Sequence, residues 1–352
     1  MAKTKKLTKG QLRRIKANQS KKLNQKASKD KVSFTDEQLG EPQSGVIISR
    51  FGQHADVEAD DGRIFRCNMR RTIDSLVCGD KVSWRAEKET TSEDNASKVS
   101  GVIEAVHQRS SILARPDVYD GVKPVAANIS QIFIVSSVLP AFNPDIIDRY
   151  IVAAEQTGIT PIIVLNKTDL LNAENEADIE ASLTIYREIG YRVIYASSEQ
   201  KTGLDQLSQQ LEQQVSIFVG QSGVGKSTLV NSLMPELALV TQAVSENSGL
   251  GQHTTTVARL YHFPAGGDLI DSPGIREFGL WHMTPEQVSQ GFVEFADYLG
   301  TCKFRDCKHQ SDPGCALVAA CQAGAVRPER LASFQRILVS LTEAQQTSRF
   351  QP

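Results

Sequence analysis

From residue 41 onward the apolar positions fall into three successive rhythms. Between 41 and 107 they form short β-type runs separated by turn residues: Ser44 to Ser49, Ala55 to Ala59, Arg63 to Cys67, Asp80 to Arg85 and Gly101 to Val106. No helical periodicity interrupts them, and five short strands suit a small closed barrel. The oligonucleotide-binding (OB) barrel is the commonest five-stranded candidate, and a different small barrel is compatible with the same composition. Cys67 and Cys78, on or beside these strands, have no partner at metal-ligand spacing and read as buried thiols.

From residue 128 the rhythm becomes apolar runs alternating with helical stretches, the signature of a parallel sheet with crossover helices. The runs are Gln131 to Leu139, Pro161 to Leu165, Arg192 to Tyr195, Ser216 to Val219, Arg259 to Phe263 and Asp268 to Ile270; helices are predicted over Pro144 to Thr157, Glu174 to Ile189, Gly203 to Gln214 and Lys226 to Leu233. This is a doubly wound α/β domain. Past residue 281 the β runs stop, and helical segments at Thr284 to Phe295, Cys315 to Ala323 and Pro328 to Thr347 bracket a Cys/His cluster. The expected organisation is therefore a disordered basic tail over 1–40, an OB-type barrel over 41–108, an α/β nucleotide domain over 109–280 and a helical metal-binding domain over 281–352.

Length supports this division, because 352 residues exceed the usual range of one compact core. With 40% hydrophobic and 23% charged residues the composition is that of a globular protein, and no window approaches the roughly 18 apolar residues of a membrane span, so no membrane partner is expected. The net charge of −2 conceals an asymmetry: residues 1 to 31 hold twelve Lys or Arg against the single acid Asp30, so this tail carries +11 and leaves −13 for the remainder. Such a segment buries too little to fold alone. It has no apolar core behind its positive start, which argues against a secretory signal and for the cytoplasm; its Lys-dominated composition also fits a mitochondrial targeting peptide poorly. Phosphate neutralisation on RNA and a plain solvated tail are the two readings of its charge.

Candidate chemistry is densest in the α/β region. GQSGVGKS, Gly220 to Ser227, directly follows one strand and directly precedes a helical pattern. Gly220, Gln221, Ser222, Gly223, Val224, Gly225, Lys226, Ser227 and Thr228 are thus the expected phosphate cradle, with backbone N–H groups closing on phosphate oxygens at a helix N-terminus, Lys226 reaching the β and γ phosphates and Ser227 coordinating Mg²⁺. NKTD, comprising Asn166, Lys167, Thr168 and Asp169, ends the strand Pro161 to Leu165. The Asp169 carboxylate can accept from guanine N1–H and the 2-amino group; facing adenine it would be left unsatisfied, which selects GTP. Asn166 braces the loop or meets the purine edge, and the Lys167 stem covers the ring. Ala196, Ser197 and Ser198 follow another strand and resemble the loop that contacts guanine O6 in GTPases.

DSPG, Asp271 to Gly274, closes the strand Asp268 to Ile270 and matches the motif in which an Asp reaches Mg²⁺ through water and a Gly N–H senses the γ-phosphate. Between it and the phosphate loop lies GLGQHTTT, Gly249 to Thr256, where Thr254 or Thr255 is the expected Mg²⁺ contact of the first switch. In ordinary GTPases the phosphate loop precedes both switches and the base-recognition motifs; here NKTD and the Ser loop come first. Rotation of connectivity preserves a site built on loops at one sheet edge when the original termini lie close. It also runs DSPG directly into the C-terminal region, so nucleotide state can act on that region and hydrolysis can serve as a release signal. The position that carries a water-orienting Gln in small signalling GTPases is Ile275, which cannot orient water. His253 is the internal candidate for that task, its alternative being a histidine that only packs. The expected catalytic set is Lys226, His253, Thr254, Thr255, Asp271 and Gly274.

Cys302, Cys307, His309 and Cys315 form C-x4-C-x-H-x5-C, a ligand composition suited to one tetrahedral structural Zn²⁺ per chain. Cys321 is a spare ligand candidate in an apolar helical stretch. Lys303, Arg305 and Lys308 lie between the ligands, either as a basic face toward nucleic acid or as solvated charges.

Taken together, the rotated NKTD, GQSGVGKS and DSPG, the GQHTTT switch, the five-stranded region and the Cys/His cluster resemble the ribosome small subunit-dependent GTPase family called RsgA or YjeQ. That resemblance implies an OB barrel, a circularly permuted P-loop GTPase domain and a zinc domain, acting as a monomer in late maturation of the 30S ribosomal subunit, in contact with 16S rRNA, with subunit-stimulated GTP hydrolysis. A scaffold that uses GTP only as a structural ligand is the competing reading, kept open by Ile275. An RNA-modifying enzyme would need a cofactor motif or nucleophile, and the sequence shows neither.

Overall fold

A computed structural model describes residues 36–73, 75–88, 99–117, 121–235, 258–271, 283–310 and 312–349. Five strands form the N-terminal barrel: β1 (Gln43–Phe51), β2 (His54–Ala59), β3 (Ile64–Met69), β4 (Lys81–Ala86) and β5 (Gly101–Val106). They are ordered β1-β2-β3-β5-β4, and β4 pairs back on β1, closing the sheet in the OB arrangement. Closure requires Gly45, which pairs with Ala59 on one side and Val82 on the other. A Cβ there would lie 2.8 Å from the Glu58 carbonyl oxygen and 2.8 Å from Trp84 Nε1. Trp84 fills the barrel, fully buried, with Nε1 donating to the Ser44 carbonyl at 3.1 Å. Cys67 and Cys78 are buried thiols, as expected. Packing starts before residue 41: Asp36–Gln38 forms a 3-10 turn and Leu39, 1% exposed, bridges to Glu87.

The strand pattern misses one element. A two-stranded hairpin, β6 (Ile112–Asp117) and β7 (Gly121–Ala127), stands apart from the large sheet. Pro116 and Pro124 interrupt its alternation, which is why no apolar period marked it.

The α/β domain places β8 (Gln131–Ser137), β9 (Thr160–Asn166), β10 (Arg192–Tyr195), β11 (Val215–Val219), β12 (Arg259–His262) and β13 (Asp268–Asp271) in the order β10-β9-β8-β11-β13-β12. All neighbours are parallel except the β12–β13 hairpin. Every residue of β8 is buried, consistent with a central strand covered on both faces. Helices α1 (Pro144–Thr157), α2 (Glu176–Ile189), α3 (Leu204–Leu211) and α4 (Lys226–Leu233) cover the sheet. Helix α1 starts with the Asn143 side chain accepting from Asp145 N–H and stops at Gly158, φ 68°. Helix α3 ends at Leu211, short of the predicted Gln214, because Gln213 turns left-handed at φ 56°.

The C-terminal region contributes α5 (Pro285–Gln290), α6 (Ala316–Gln322) and α7 (Pro328–Arg349). The helix expected over Thr284 to Phe295 is really α5 followed by a separate 3-10 turn at Val293–Phe295, broken at Gly291, where a Cβ would sit 2.7 Å from Val152. Among the described residues the region has no separate core. Phe292, Phe295 and Phe334 join the same apolar cluster as Ile132, Ile134 and Ile151 of the α/β domain. Among the described residues no helix is long and apolar enough to cross a membrane.

Candidate functional site

The parallel strands β8, β9, β10, β11 and β13 all end at one edge of the sheet, the edge at which open α/β folds bind ligands. After β11 the chain turns at Gly220, φ 142°, where a Cβ would fall 2.1 Å from the Val135 carbonyl oxygen. Gly223 and Gly225 continue the loop at φ 84° and 94°, and a Cβ on Gly225 would meet Asn166 Nδ2 at 2.4 Å. Only glycine fits these positions, so the backbone curls tightly and α4 begins at Lys226. Lys226 Nζ donates to the Gly220 and Gln221 carbonyls, both at 2.8 Å, across the loop. Ser227 and Thr228 are exposed on the first turn of α4.

NKTD is stitched onto this loop. Asn166 is 1% exposed, and its Nδ2 donates to the Val224 carbonyl at 2.9 Å. Lys167 adopts φ 59°, which turns its side chain back so that Nζ donates to Gly223 and Leu139 carbonyls, each at 2.7 Å. Thr168 N–H and Oγ1 both donate to the Ala196 carbonyl at 3.2 Å. Ser197 Oγ donates to Asp169 Oδ1 and accepts from Gln200 N–H at 3.0 Å, tying the Ser loop to the last carboxylate of NKTD. Ser198 Oγ and Asn166 Oδ1 are buried without a protein partner among the described residues. The three predicted motifs therefore converge, although 50 or more residues separate NKTD from the phosphate loop.

Asp271 ends β13, which runs parallel beside β11, so its carboxylate stands at the same edge as the phosphate loop. The Asp271 carboxylate and the Ser227 hydroxyl are hard oxygen donors, the chemical type that Mg²⁺ takes. His253, Thr254, Thr255, Gly274 and Ile275 lie outside the described residues.

The four residues of the Cys/His cluster lie together. Ligand atoms of Cys302, Cys307, His309 and Cys315 all lie within 4.8 Å of one another. His309 Nδ1 is 3.5 Å from Cys302 Sγ, 3.7 Å from Cys307 Sγ and 3.5 Å from Cys315 Sγ. Tetrahedral Zn²⁺ with Zn–S near 2.3 Å and Zn–N near 2.0–2.1 Å sets S···N at about 3.6 Å, so the donor set fits that ion. Burial lowers the His309 pKa and favours the neutral ring that a metal takes. Ala316 N–H donates to Cys302 Sγ at 3.3 Å, and Asp312 Oδ2 accepts from Lys308 and Gln310 N–H at 3.1 and 3.3 Å, holding the knuckle in shape. Cys321 is not among the clustered ligands. Phe304 is exposed beneath Lys303 Nζ, 5.5 Å from its ring.

Two features lie outside the sequence motifs. The Leu139 carbonyl that holds Lys167 is backbone, and backbone acceptors leave no sequence signal. Arg330, 2% exposed, binds Asp148 and Glu294, its Nε 2.6 Å from Glu294 Oε1. Its guanidinium lies 4.4 Å over the Phe292 ring. Burial works against its charge, but the Asp148 and Glu294 carboxylates outweigh that and raise its pKa. A signal did exist: Arg330, Phe334, Ile337 and Leu341 share one helical stripe, so the arginine occupies an apolar face.

This strand order, with a glycine loop, a guanine-type NKTD and an Asp at one sheet edge, defines a P-loop GTPase whose connectivity is circularly permuted. A family model described as RsgA GTPase matches residues 106–281. The small ribosomal subunit biogenesis GTPase RsgA of Proteus mirabilis is 57% identical over 340 residues, covering 96% of each chain. The protein of that name in Dickeya dadantii is 57% identical over 348 residues, covering 98% of each. Two solved structures agree: YjeQ from Thermotoga maritima, with TM-score 0.70, 28% identity and coverage of 86% of this chain and 99% of that one, and YloQ, described as a circularly permuted GTPase, with TM-score 0.68, 25% identity and coverage of 88% and 98%. The chain belongs to the RsgA GTPase family, and is a hydrolase acting on GTP.

Proposed function

We propose that this GTPase binds the small (30S) ribosomal subunit and acts in its late maturation, hydrolysing GTP to GDP and phosphate in response to the subunit and leaving as a result. The observation that carries the nucleotide half is the stitching of Asn166 and Lys167 onto Val224 and Gly223, which builds base recognition and phosphate cradle as one rigid unit. Asp169, oriented by Ser197, reads guanine; Ser198 and Asn166 line the purine edge, and Thr168 fixes the loop. Gly220 to Gly225 and Thr228 cradle the phosphates while Lys226 neutralises them. Ser227, Thr254 or Thr255, and Asp271 would hold Mg²⁺, which would supply neutralisation of phosphate charge. Gly274 reports the γ-phosphate, and His253 orients the attacking water in place of the apolar Ile275.

The partner half follows from charge and architecture: an OB barrel over 41–108, the basic 1–40 tail and one structural Zn²⁺ in the 281–352 region flank the 109–280 GTPase domain and together contact 16S rRNA. The protein works as a monomer in the cytoplasm. GTP turnover measured with and without 30S particles tests this. Stimulation by the particles is expected, and Lys226→Ala should lower the stimulated rate by about a hundredfold or more. Equal turnover with and without particles would instead mark an RNA-anchored scaffold that holds GTP as a structural ligand.

A further inference from the structure

His262, the last residue of β12, is held between two carboxylates on different parts of the molecule. Its Nδ1 is 2.6 Å from Asp268 Oδ1, across the β12–β13 hairpin. Its Nε2 is 2.9 and 2.8 Å from Glu58 Oε1 and Oε2, on barrel strand β2. Ionised carboxylates only accept hydrogen bonds, and a neutral imidazole has a single N–H. Both contacts can be bonds at once only when the ring is doubly protonated.

The hairpin that carries this histidine occupies a particular place in the chain. Residue 258 connects it back to the threonine-rich stretch, and Asp271 ends it at the phosphate edge. Its tip is pinned where Gly267, φ 85°, passes so close to α3 that a Cβ would fall 2.1 Å from the Leu211 carbonyl oxygen. Its outer strand meets the barrel at the Ser49–Arg259 pair. We propose that Glu58, His262 and Asp268 form a proton-dependent clasp coupling the barrel to the hairpin that links the two phosphate-sensing stretches. When the ring loses a proton, the shorter bond to Asp268 inside the hairpin is kept and the bond to Glu58 across the domain boundary is lost.

The other charges nearby are already engaged. Asp56 of β2 accepts from Arg66 at 3.0 Å and from Ser49 Oγ at 3.1 Å, and Arg259 of β12 lies over the Tyr261 ring at 5.6 Å. Glu58 from β2 and Asp268 from β13 are therefore the groups that face the imidazole. Partial burial alone would lower its pKa, but these two carboxylates outweigh that and hold it above the ordinary value. A raised folded-state pKa means that the clasp's contribution is complete below the unfolded value, about 6.5, and is lost as pH rises through the folded value. The His262 side chain is 54% exposed, so solvent screens the pair and the effect is severalfold rather than orders of magnitude.

The full-length protein can be tested without nucleotide or ribosomal partner, by titrating His262 through its imidazole ¹⁵N shifts and following hydrogen exchange at Ser49, Glu58 and Arg259 across pH 6 to 9. In the wild type, His262 should titrate above 6.5, and seam opening, corrected for intrinsic exchange, should rise severalfold through that same pKa. Glu58→Gln should bring the pKa down, and His262→Gln should make seam opening independent of pH with the barrel still folded. A His262 pKa at or below 6.5 would overturn the clasp. So would a raised pKa accompanied by pH-independent seam exchange in the wild type, since the triad would then be a surface ion pair that couples nothing.

Discussion

The GTPase domain is gripped on two sides in different ways. On the C-terminal side, α7 packs against α1 and buries three phenylalanines beside one ion-paired arginine: Arg330 meets Asp148 of α1 and Glu294 with Phe292 under its guanidinium, while the Tyr186 hydroxyl of α2 donates to Asp148 at 2.8 Å. On the barrel side the grip is spread over many modest ties. Ala127 N–H donates to the Cys78 carbonyl at 3.0 Å, Asn128 Nδ2 to the Gly79 carbonyl at 2.8 Å, and Arg109 to both Asp80 oxygens at 2.7 and 2.8 Å. Losing one member should hurt a concentrated grip more than a distributed one, so the barrel is the side on which the molecule can adjust by degrees.

The largest effect is expected at Arg330. Arg330→Met keeps most of the volume but strips Asp148 and Glu294 of their shared cation inside a site 2% and 14% exposed. Leaving buried carboxylates uncompensated costs about 3–5 kcal/mol. Denaturant unfolding followed by near-UV signal should show that loss, and removing one of the two stranded carboxylates in Asp148→Asn/Arg330→Met should recover part of it. A loss below about 1 kcal/mol would mean that the aromatic packing, not the charge, holds α7.

On the barrel side the corresponding group is Asp80, fully buried, which also accepts from Val77 N–H at 2.8 Å. Asp80→Ala leaves those donors unpaired, but Arg109 is 13% exposed and keeps its bond to the Ser75 carbonyl at 3.2 Å. About 1–3 kcal/mol should be lost, less than at Arg330. Hydrogen exchange should show the loss confined to 75–80 and the adjoining β7, with the GTPase sheet unaffected. Deprotection that spreads through β8 and β11 would show that the barrel side is as concentrated as the other.

How much of this could be read beforehand depends on which atoms carry the information. Fully buried β8 and the Gly220 to Ser227 loop were legible because side-chain identity itself dictates them: an apolar run over Ile132 to Val135, and glycines where a Cβ would collide, at Gly220 and Gly225, or where φ is left-handed, at Gly223. The ligand spacing of Cys302 to Cys315 was legible for the same reason. The β6–β7 hairpin was not, since Pro116 and Pro124 mask its alternation and its pairing is set by backbone. Leu39 packs on the barrel just ahead of the predicted boundary, where a single leucine among polar neighbours gives no period to read. The closure of β4 onto β1 depends on Gly45, a residue that marks turns more often than barrel seams. Arg330 was visible in principle, as a cation on the apolar stripe of α7, but its partners Asp148 and Glu294 are remote in sequence and nothing local points to them.

The smallest effect should come from the outer ion pairs of the C-terminal side. Arg327 meets Glu188 at 2.6 Å with side chains 52% and 47% exposed, and Arg336 meets Asp145 at 2.6 Å with 56% and 36% exposed. Arg336 of α7 and Arg327, just ahead of its first residue, both reach the GTPase helices as Arg330 does, yet water competes for all four groups. Arg327→Ala should therefore cost below about 1 kcal/mol. Raising the salt concentration should shrink even that difference, because exposed pairs are screened at a Debye length of about 8 Å near physiological ionic strength, whereas the Arg330 loss should persist. Equal salt sensitivity of the two variants would show that water reaches Arg330, and that the concentrated grip is in fact a surface network.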